Sequence, residues 1–205
     1  MSDYGRPSLL HRVVASLRLL WRVLVARDAA FRIPENAVVL ALDAVEPYRE
    51  LWDHERHFHL KRLLRAARAN RNRVVFTQWA RTRASPADAM TARGPHWSYC
   101  LPSETLVDGR APLLPGLRED GDECVAVVAT NALATPELSL PPRAPLVLAG
   151  MWTESCVINT ARAATEDGRE VYVYAPACAG HAGISWYVLW TIQSFYAEVC
   201  FTLLL

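Results

Sequence analysis

Lysine is all but missing from this chain of 205 residues: Lys61 stands alone, and arginine supplies the rest of the 22 basic side chains. Arginine stays protonated and cannot serve as a tunable amine, so a mechanism that needs a lysine has one candidate. A CxxC pair is absent as well. The five cysteines, Cys100, Cys124, Cys156, Cys178 and Cys200, are odd in number and widely spaced, which argues against a disulfide framework or a zinc knuckle and favours a reducing, intracellular compartment. Net charge is nearly lacking: a formal +1 gives no global field for nucleic acid or an anionic membrane. There is no repeat and no low-complexity tract. With 52% hydrophobic and 21% charged residues the composition is that of a folded globular protein, of a length that fits one domain.

Residues 8–27 carry Leu9, Leu10, Val13, Val14, Leu17, Leu20, Val23 and Leu24 at helical spacing, with Arg12, Arg18, Arg22 and Arg27 between them. This predicts an amphipathic helix. Because acidic residues are almost absent before Asp28, the segment also resembles an organelle transit peptide, so the expected location is cytoplasmic or mitochondrial. We therefore divide the chain into an N-terminal helical extension, residues 1–33, and an α/β domain, residues 34–205. In that domain the continuous apolar runs 37–42, 74–77, 146–150 and 171–174 read as parallel strands buried on both faces. Helices are predicted over 50–69 and 156–167, the second with Gly168 at its C-cap. The alternation predicts a three-layer α/β fold with a mostly parallel central sheet flanked by helices and right-handed crossovers. Residues 80–120, rich in proline, glycine and polar groups, read as long loops near the mouth of a site. From Ile184 to Leu205 the only charge is Glu198. That is long enough to span a bilayer, but Gln193, Ser194 and Glu198 interrupt the apolar surface and no basic anchor follows, so it reads as a buried or partner-facing helix.

In an open parallel sheet, ligands collect at the carboxyl ends of the strands. Asp43 ends the first strand, and Cys156 begins the helix that follows the third. Taken singly, a strand-end aspartate is most often a cap or turn former, and a lone cysteine a small buried hydrophobe. Together on one sheet edge they suggest chemistry. A cysteine at a helix N-terminus meets free backbone N–H groups and the positive end of the dipole, which favour thiolate and offer an oxyanion site.

The segment Leu146-Val147-Leu148-Ala149-Gly150-Met151-Trp152-Thr153-Glu154-Ser155-Cys156-Val157-Ile158-Asn159-Thr160-Ala161 resembles the isochorismatase-like cysteine hydrolases: hydrophobic strand, Gly, two residues, Thr, two residues, Cys-Val, then Thr-Ala. The strand into Asp43 is similar to that family's first catalytic strand, Val74 to Trp79 to its second, and His96-Trp97 to the loop that follows. The resemblance implies a Rossmann-like α/β fold and hydrolysis of a small amide or carbamoyl compound without a cofactor. It implies Cys156 as nucleophile, Asp43 as base, and backbone N–H groups around Trp152, Thr153 and Cys156 as oxyanion donors. It also implies a cis peptide at Trp152–Thr153 or one bond earlier. The family's lysine is missing: its place falls on Val127, or on Val128 if the register slips, and Lys61 lies on the predicted helix after the first strand, out of reach. Ala44-Val45-Glu46-Pro47-Tyr48 and Pro176-Ala177 depart from the family's pattern too. These departures leave a second expectation open, a catalytically silent relative that serves as a binding or structural subunit, in a homo-oligomer or a larger complex through its terminal helices. Trp79 and Trp97 are expected to line a pocket, with Trp152 near the same edge. His54, His57 and His59 read as a solvated helix face and not as metal ligands, because His59 does not share the face of the other two.

Overall fold

The computed structural model describes residues 31–80, 105–181 and 184–204. The expected N-terminal helix, Trp97, Cys100 and most of the long loop segment lie outside the described residues.

Six parallel strands form the sheet: β1 (Val38–Leu42), β2 (Arg73–Trp79), β3 (Glu123–Val127), β4 (Leu146–Met151), β5 (Val171–Ala179) and β6 (Glu198–Cys200). Their order across the sheet is β3-β2-β1-β4-β5-β6. Every residue of β1 and β4 is buried, which is why these two segments are unbroken apolar runs with no polar alternation. The helices are α1 (His54–Ala69), α2 (Ile158–Glu166) and α3 (Ile184–Phe195). The chain runs outward from β1 through α1 to β2, then returns to β4 and runs the other way through α2 to β5. Crossovers of opposite travel, each with the right hand usual for parallel strands, place helices on opposite faces of such a sheet. Asp53 starts α1 by accepting the N–H of Arg56 at 2.7 Å, a side-chain cap for a donor with no partner inside the helix. Leu60, Leu63, Leu64 and Ala67 then line one stripe of α1 and are fully buried, the spacing that amphipathic packing requires.

Two strands were not among the four expected, and the reasons differ. Strand β3 is an edge strand whose Glu123 faces outward to Arg73, so its apolar content is diluted. Strand β6 corrects the reading of residues 184–205 as one helix. The helix stops at Phe195, where the N–H groups of Tyr196 and Ala197 both turn back to the carbonyl of Ile192. The chain then pairs Glu198, Val199 and Cys200 with Tyr172, Val173 and Tyr174, satisfying a sheet edge that would otherwise stand open. No helix among the described residues is long and apolar enough to cross a membrane. Phe31 hydrogen-bonds along residues 202–204, and Phe31 and Ile33 are both part of the core.

Strands β1 and β4 are the pair at which the chain reverses its direction of travel, and they pair from Val38 with Leu146 to Leu42 with Gly150. Such a switch point leaves a crevice above the strand ends. Gly150 is what lets them close: its φ is +128°, and a Cβ there would lie 2.0 Å from the carbonyl oxygen of Leu42. Gly150→Ala is therefore expected to cost about 4 kcal/mol or more, since strained φ and backbone collision act together. A thermal midpoint unchanged from the parent protein would contradict this.

Candidate active site

The last residue of β1 is followed by Asp43, which turns with a φ of +47°, a conformation that aspartate tolerates better than most residues. Thr77 of β2 holds this turn twice. Its Oγ1 accepts the Asp43 N–H at 3.1 Å, and its hydroxyl donates to Asp43 Oδ1, also at 3.1 Å. Asp43 is 2% exposed and Thr77 is fully buried.

Beyond β4, the peptide bond Met151–Trp152 is cis, the earlier of the two bonds that the resemblance implied. The chain then winds through a π-helical turn, Thr153–Val157, before α2 begins. The wide turn is held by the Trp152 carbonyl, which accepts from Ser155 N and Val157 N, and by the Thr153 hydroxyl, which donates to Ala179 O at 3.0 Å. Cys156 lies in this turn, buried, with the carboxylate of Asp43 as its neighbouring charge. The strand-end aspartate and the post-strand cysteine thus meet directly above the switch point.

The protonation of the pair follows from its surroundings. Burial pushes Asp43 up from the ordinary carboxylate value to about 7, against the opposing pull of the hydrogen bonds from Cys156 and Thr77. Burial also pushes the Cys156 thiol well above its usual range, and the neighbouring charge of Asp43 and the hydrogen bond to it add to this. The Trp152 backbone N–H and the Ser155 side chain work in the opposite direction, toward thiolate. Against the sequence expectation that the helix end favours thiolate, burial and the adjacent carboxylate favour the thiol. Exclusion of water and an adjacent anion outweigh the backbone N–H groups.

Of the two positions that the sequence reading offered for the family's lysine, Val127 ends β3 opposite Trp79 and is buried, while Val128 is exposed. Lys61 is on α1 with its ammonium beside Gly116. Among the described residues, no cation is a cause of the shifts at Asp43 or Cys156. Trp79 is buried at the end of β2, two residues beyond Thr77. Trp152 packs edge-on to Tyr48 at 5.4 Å and stacks on His181 at 4.7 Å, and His181 Nδ1 meets Glu154 Oε1 at 2.5 Å. A cavity of about 440 Å³ opens beside Thr153, lined also by Arg56, His59, Trp186 and Phe201; neither Asp43 nor Cys156 lines it. His59 Nδ1 is 3.1 Å from the Tyr174 hydroxyl, and no group of three or more potential ligands is placed to hold a metal among the described residues.

Thr77 was missed as a member of this site. The signal for Thr77 was present: a hydroxyl inside an otherwise apolar strand must find a buried partner.

The Isochorismatase domain family matches residues 58–188 of the chain, which is more than half of its length and includes Cys156. Comparison with curated proteins finds no match. Among solved structures, an isochorismatase from Pseudomonas putida KT2440 aligns with a TM-score of 0.59 at 20% identity, covering 87% of this chain and 94% of that one. The nicotinamidase/pyrazinamidase of Bacillus subtilis aligns at 0.59 and 18% identity, over 81% of this chain and 100% of its own. The N-carbamoylsarcosine amidase of Thermoplasma acidophilum aligns at 0.59 and 16%, over 80% and 95%. At these identities the structures share the fold. Together with the domain match, a parallel sheet that brings an aspartate and a cysteine to one crevice makes this chain a member of the isochorismatase family.

Proposed function

We propose that the protein is a cysteine hydrolase acting on a small amide or carbamoyl compound. The observation that carries this reading is the contact between the buried carboxylate of Asp43 and the thiol of Cys156. In the reaction the Cys156 thiol gives its proton to Asp43 as the sulfur bonds to the substrate's carbonyl carbon. The oxygen takes up the electron pair beside the backbone N–H groups of the 152–156 turn. The intermediate then collapses: the C–N bond breaks, and the amine leaves with the proton held by Asp43. Water attacks the thioester, Asp43 takes its proton, and the sulfur regains a proton as the acid departs. Asp43 must be ionised to begin, so turnover is expected to rise with pH through about 7. The test is ammonia release from a panel of small amides together with mass mapping of the acylated cysteine. Cys156→Ala is expected to abolish both, a loss of at least about a thousandfold for a nucleophile. If no amide is turned over and the Cys156 peptide never carries an acyl group or an iodoacetamide adduct, the hydrolase reading fails.

A second reading is a catalytically silent member that serves as a binding or structural subunit. Two points favour it: the sequence reading that puts Val127 or Val128 where the family has an ammonium, and an α3 surface on which Ile184, Trp186, Tyr187 and Phe195 are all more than half exposed. Exposed apolar side chains in such number on one helix suit a contact surface. A monodisperse monomer in light scattering would count against it.

A further inference from the structure

The cavity of about 440 Å³ beside Thr153 takes no part in the proposed reaction, since neither Asp43 nor Cys156 lines it. Its volume is that of a small-molecule site. Part of its lining is flat and apolar: Trp186 and Phe201 stack at 6.2 Å with their planes 13° apart, and Leu189 and Pro176 extend this surface. Trp186 is 56% exposed, so a ring laid on it removes apolar area from water. A second part is the start of α1, where the charges are already matched. Asp53 accepts both the N–H and the guanidinium of Arg56, and the side chain of Glu55 is 84% exposed. His59 is held differently. Its Nδ1 is 3.1 Å from the hydroxyl of Tyr174, a fully buried residue. Nδ1 is the acceptor for that hydroxyl among the described residues, so the proton of the neutral ring sits on Nε2. Nε2 is 4.0 Å from Glu55, too long for a hydrogen bond. His59 therefore brings a ring N–H to a cavity that has an aromatic wall. A third part of the lining belongs to the catalytic turn. Thr153 lines the cavity and donates to Ala179 O. Ser185 lines it too, with its hydroxyl 3.4 Å from Glu154 Oε2.

We infer that this cavity is a second ligand site, separate from the Asp43–Cys156 pair, for a neutral, flat aromatic compound that carries a carbonyl, and that its occupation steadies the turn holding Cys156. The ring lies against Trp186 and Phe201, and the carbonyl accepts from His59 Nε2. A carboxylate is disfavoured, because Arg56 is already matched by Asp53 and Glu55 adds a like charge. A saturated ring forfeits the stacking. The link to the turn is a shared wall. Cys156 is 5% exposed, so a reagent reaches its sulfur only when the turn opens. Opening moves Thr153 out of the cavity wall, and a ligand that binds the closed turn opposes it by mass action.

The probes are acetophenone, benzoate and cyclohexyl methyl ketone, titrated into the ¹⁵N-labelled full chain and followed at the Trp186 indole and at His59 Nε2. Acetophenone is expected to move both signals with a dissociation constant of about 1 mM or tighter. The other two should bind at least about fivefold more weakly. Trp186→Ala changes an exposed position and is expected to weaken acetophenone at least about tenfold, read at His59 Nε2, while Trp186→Phe keeps most of the affinity. At about five times its dissociation constant, acetophenone should slow iodoacetamide alkylation of Cys156 about sixfold in the parent and less than about twofold in Trp186→Ala. Benzoate that binds as tightly as acetophenone, acetophenone that binds folded Trp186→Ala as it binds the parent, or saturation that leaves alkylation at its free rate overturns the inference. A parent protein whose Cys156 never labels removes the hydrolase reading instead, and the Trp186 and His59 signals still decide the ligand site.

Discussion

Asp43→Asn is expected to inactivate the protein and to stabilise it, the second effect growing from about pH 4 and reaching its full size above about pH 7. As the proton acceptor of the pair, its loss should reduce amide turnover by about 10² to 10⁴, the span of a general base. The stability change follows from linkage. Burial raises Asp43 from 3.8 to about 7, so between these values the folded state holds a proton that the unfolded state releases. The stability tied to that proton is complete below the lower value and lost as pH rises through the upper one. At pH 8 the folded parent carries an unfavourably buried carboxylate, and removing it should return about 2 to 4 kcal/mol at 1.36 kcal/mol per pH unit. At pH 4 the variant and the parent should unfold alike. Cys156 gives a third readout of opposite sign: the carboxylate opposes thiolate formation, so alkylation at pH 9 should become faster in the variant while hydrolysis is lost. Equal unfolding midpoints at pH 8 would mean that Asp43 is not the buried, raised acid described here.

Val127→Lys should act in the other direction. Thr77 pairs with Val125 and Trp79 with Val127, and side chains alternate along a strand, so position 127 projects on the same face as Thr77, the face that holds Asp43. An ammonium there would stand near both members of the pair. A cation within a few ångströms lowers a carboxyl by about 1 to 3 pH units and favours the thiolate as well. The Asp43 titration should fall from about 7 to below 6, and alkylation of Cys156 at pH 7.5 should rise at least about tenfold. Val127→Met, of similar length and no charge, is the control for shape. Because Val127 is 2% exposed, the lysine will cost stability, and a lower thermal midpoint is part of the expected result. A folded lysine variant with unchanged titration and unchanged labelling would show that the missing charge is not what limits this site.

The two central strands were readable because a parallel strand covered on both faces has to be apolar throughout, and Val38–Leu42 and Leu146–Met151 are. Strand β6 was not, because Glu198–Cys200 sits in a long apolar stretch in which neither a helical nor an alternating period stands out. What makes it a strand is the open edge of β5, whose paired residues lie 26 positions earlier in the chain. The site divides in the same way. Aspartate and cysteine announce themselves as residue types at the ends of strands. Thr77 does not, since a threonine in a β-branched run is an ordinary strand former, and it becomes the holder of a carboxylate only when β1 and β2 lie side by side.

Local composition set the alternation of strands and helices, the absence of an ammonium at position 127 or 128, and the identity of the thiol and carboxylate. Contact between remote segments set the state of those two groups. The tendency of a cysteine at a helix start is toward thiolate, and that tendency is overruled here because the fold closes water out and puts a carboxylate against the sulfur. Acidity depends on the medium and on charges a few ångströms away, and both are properties of how the chain packs.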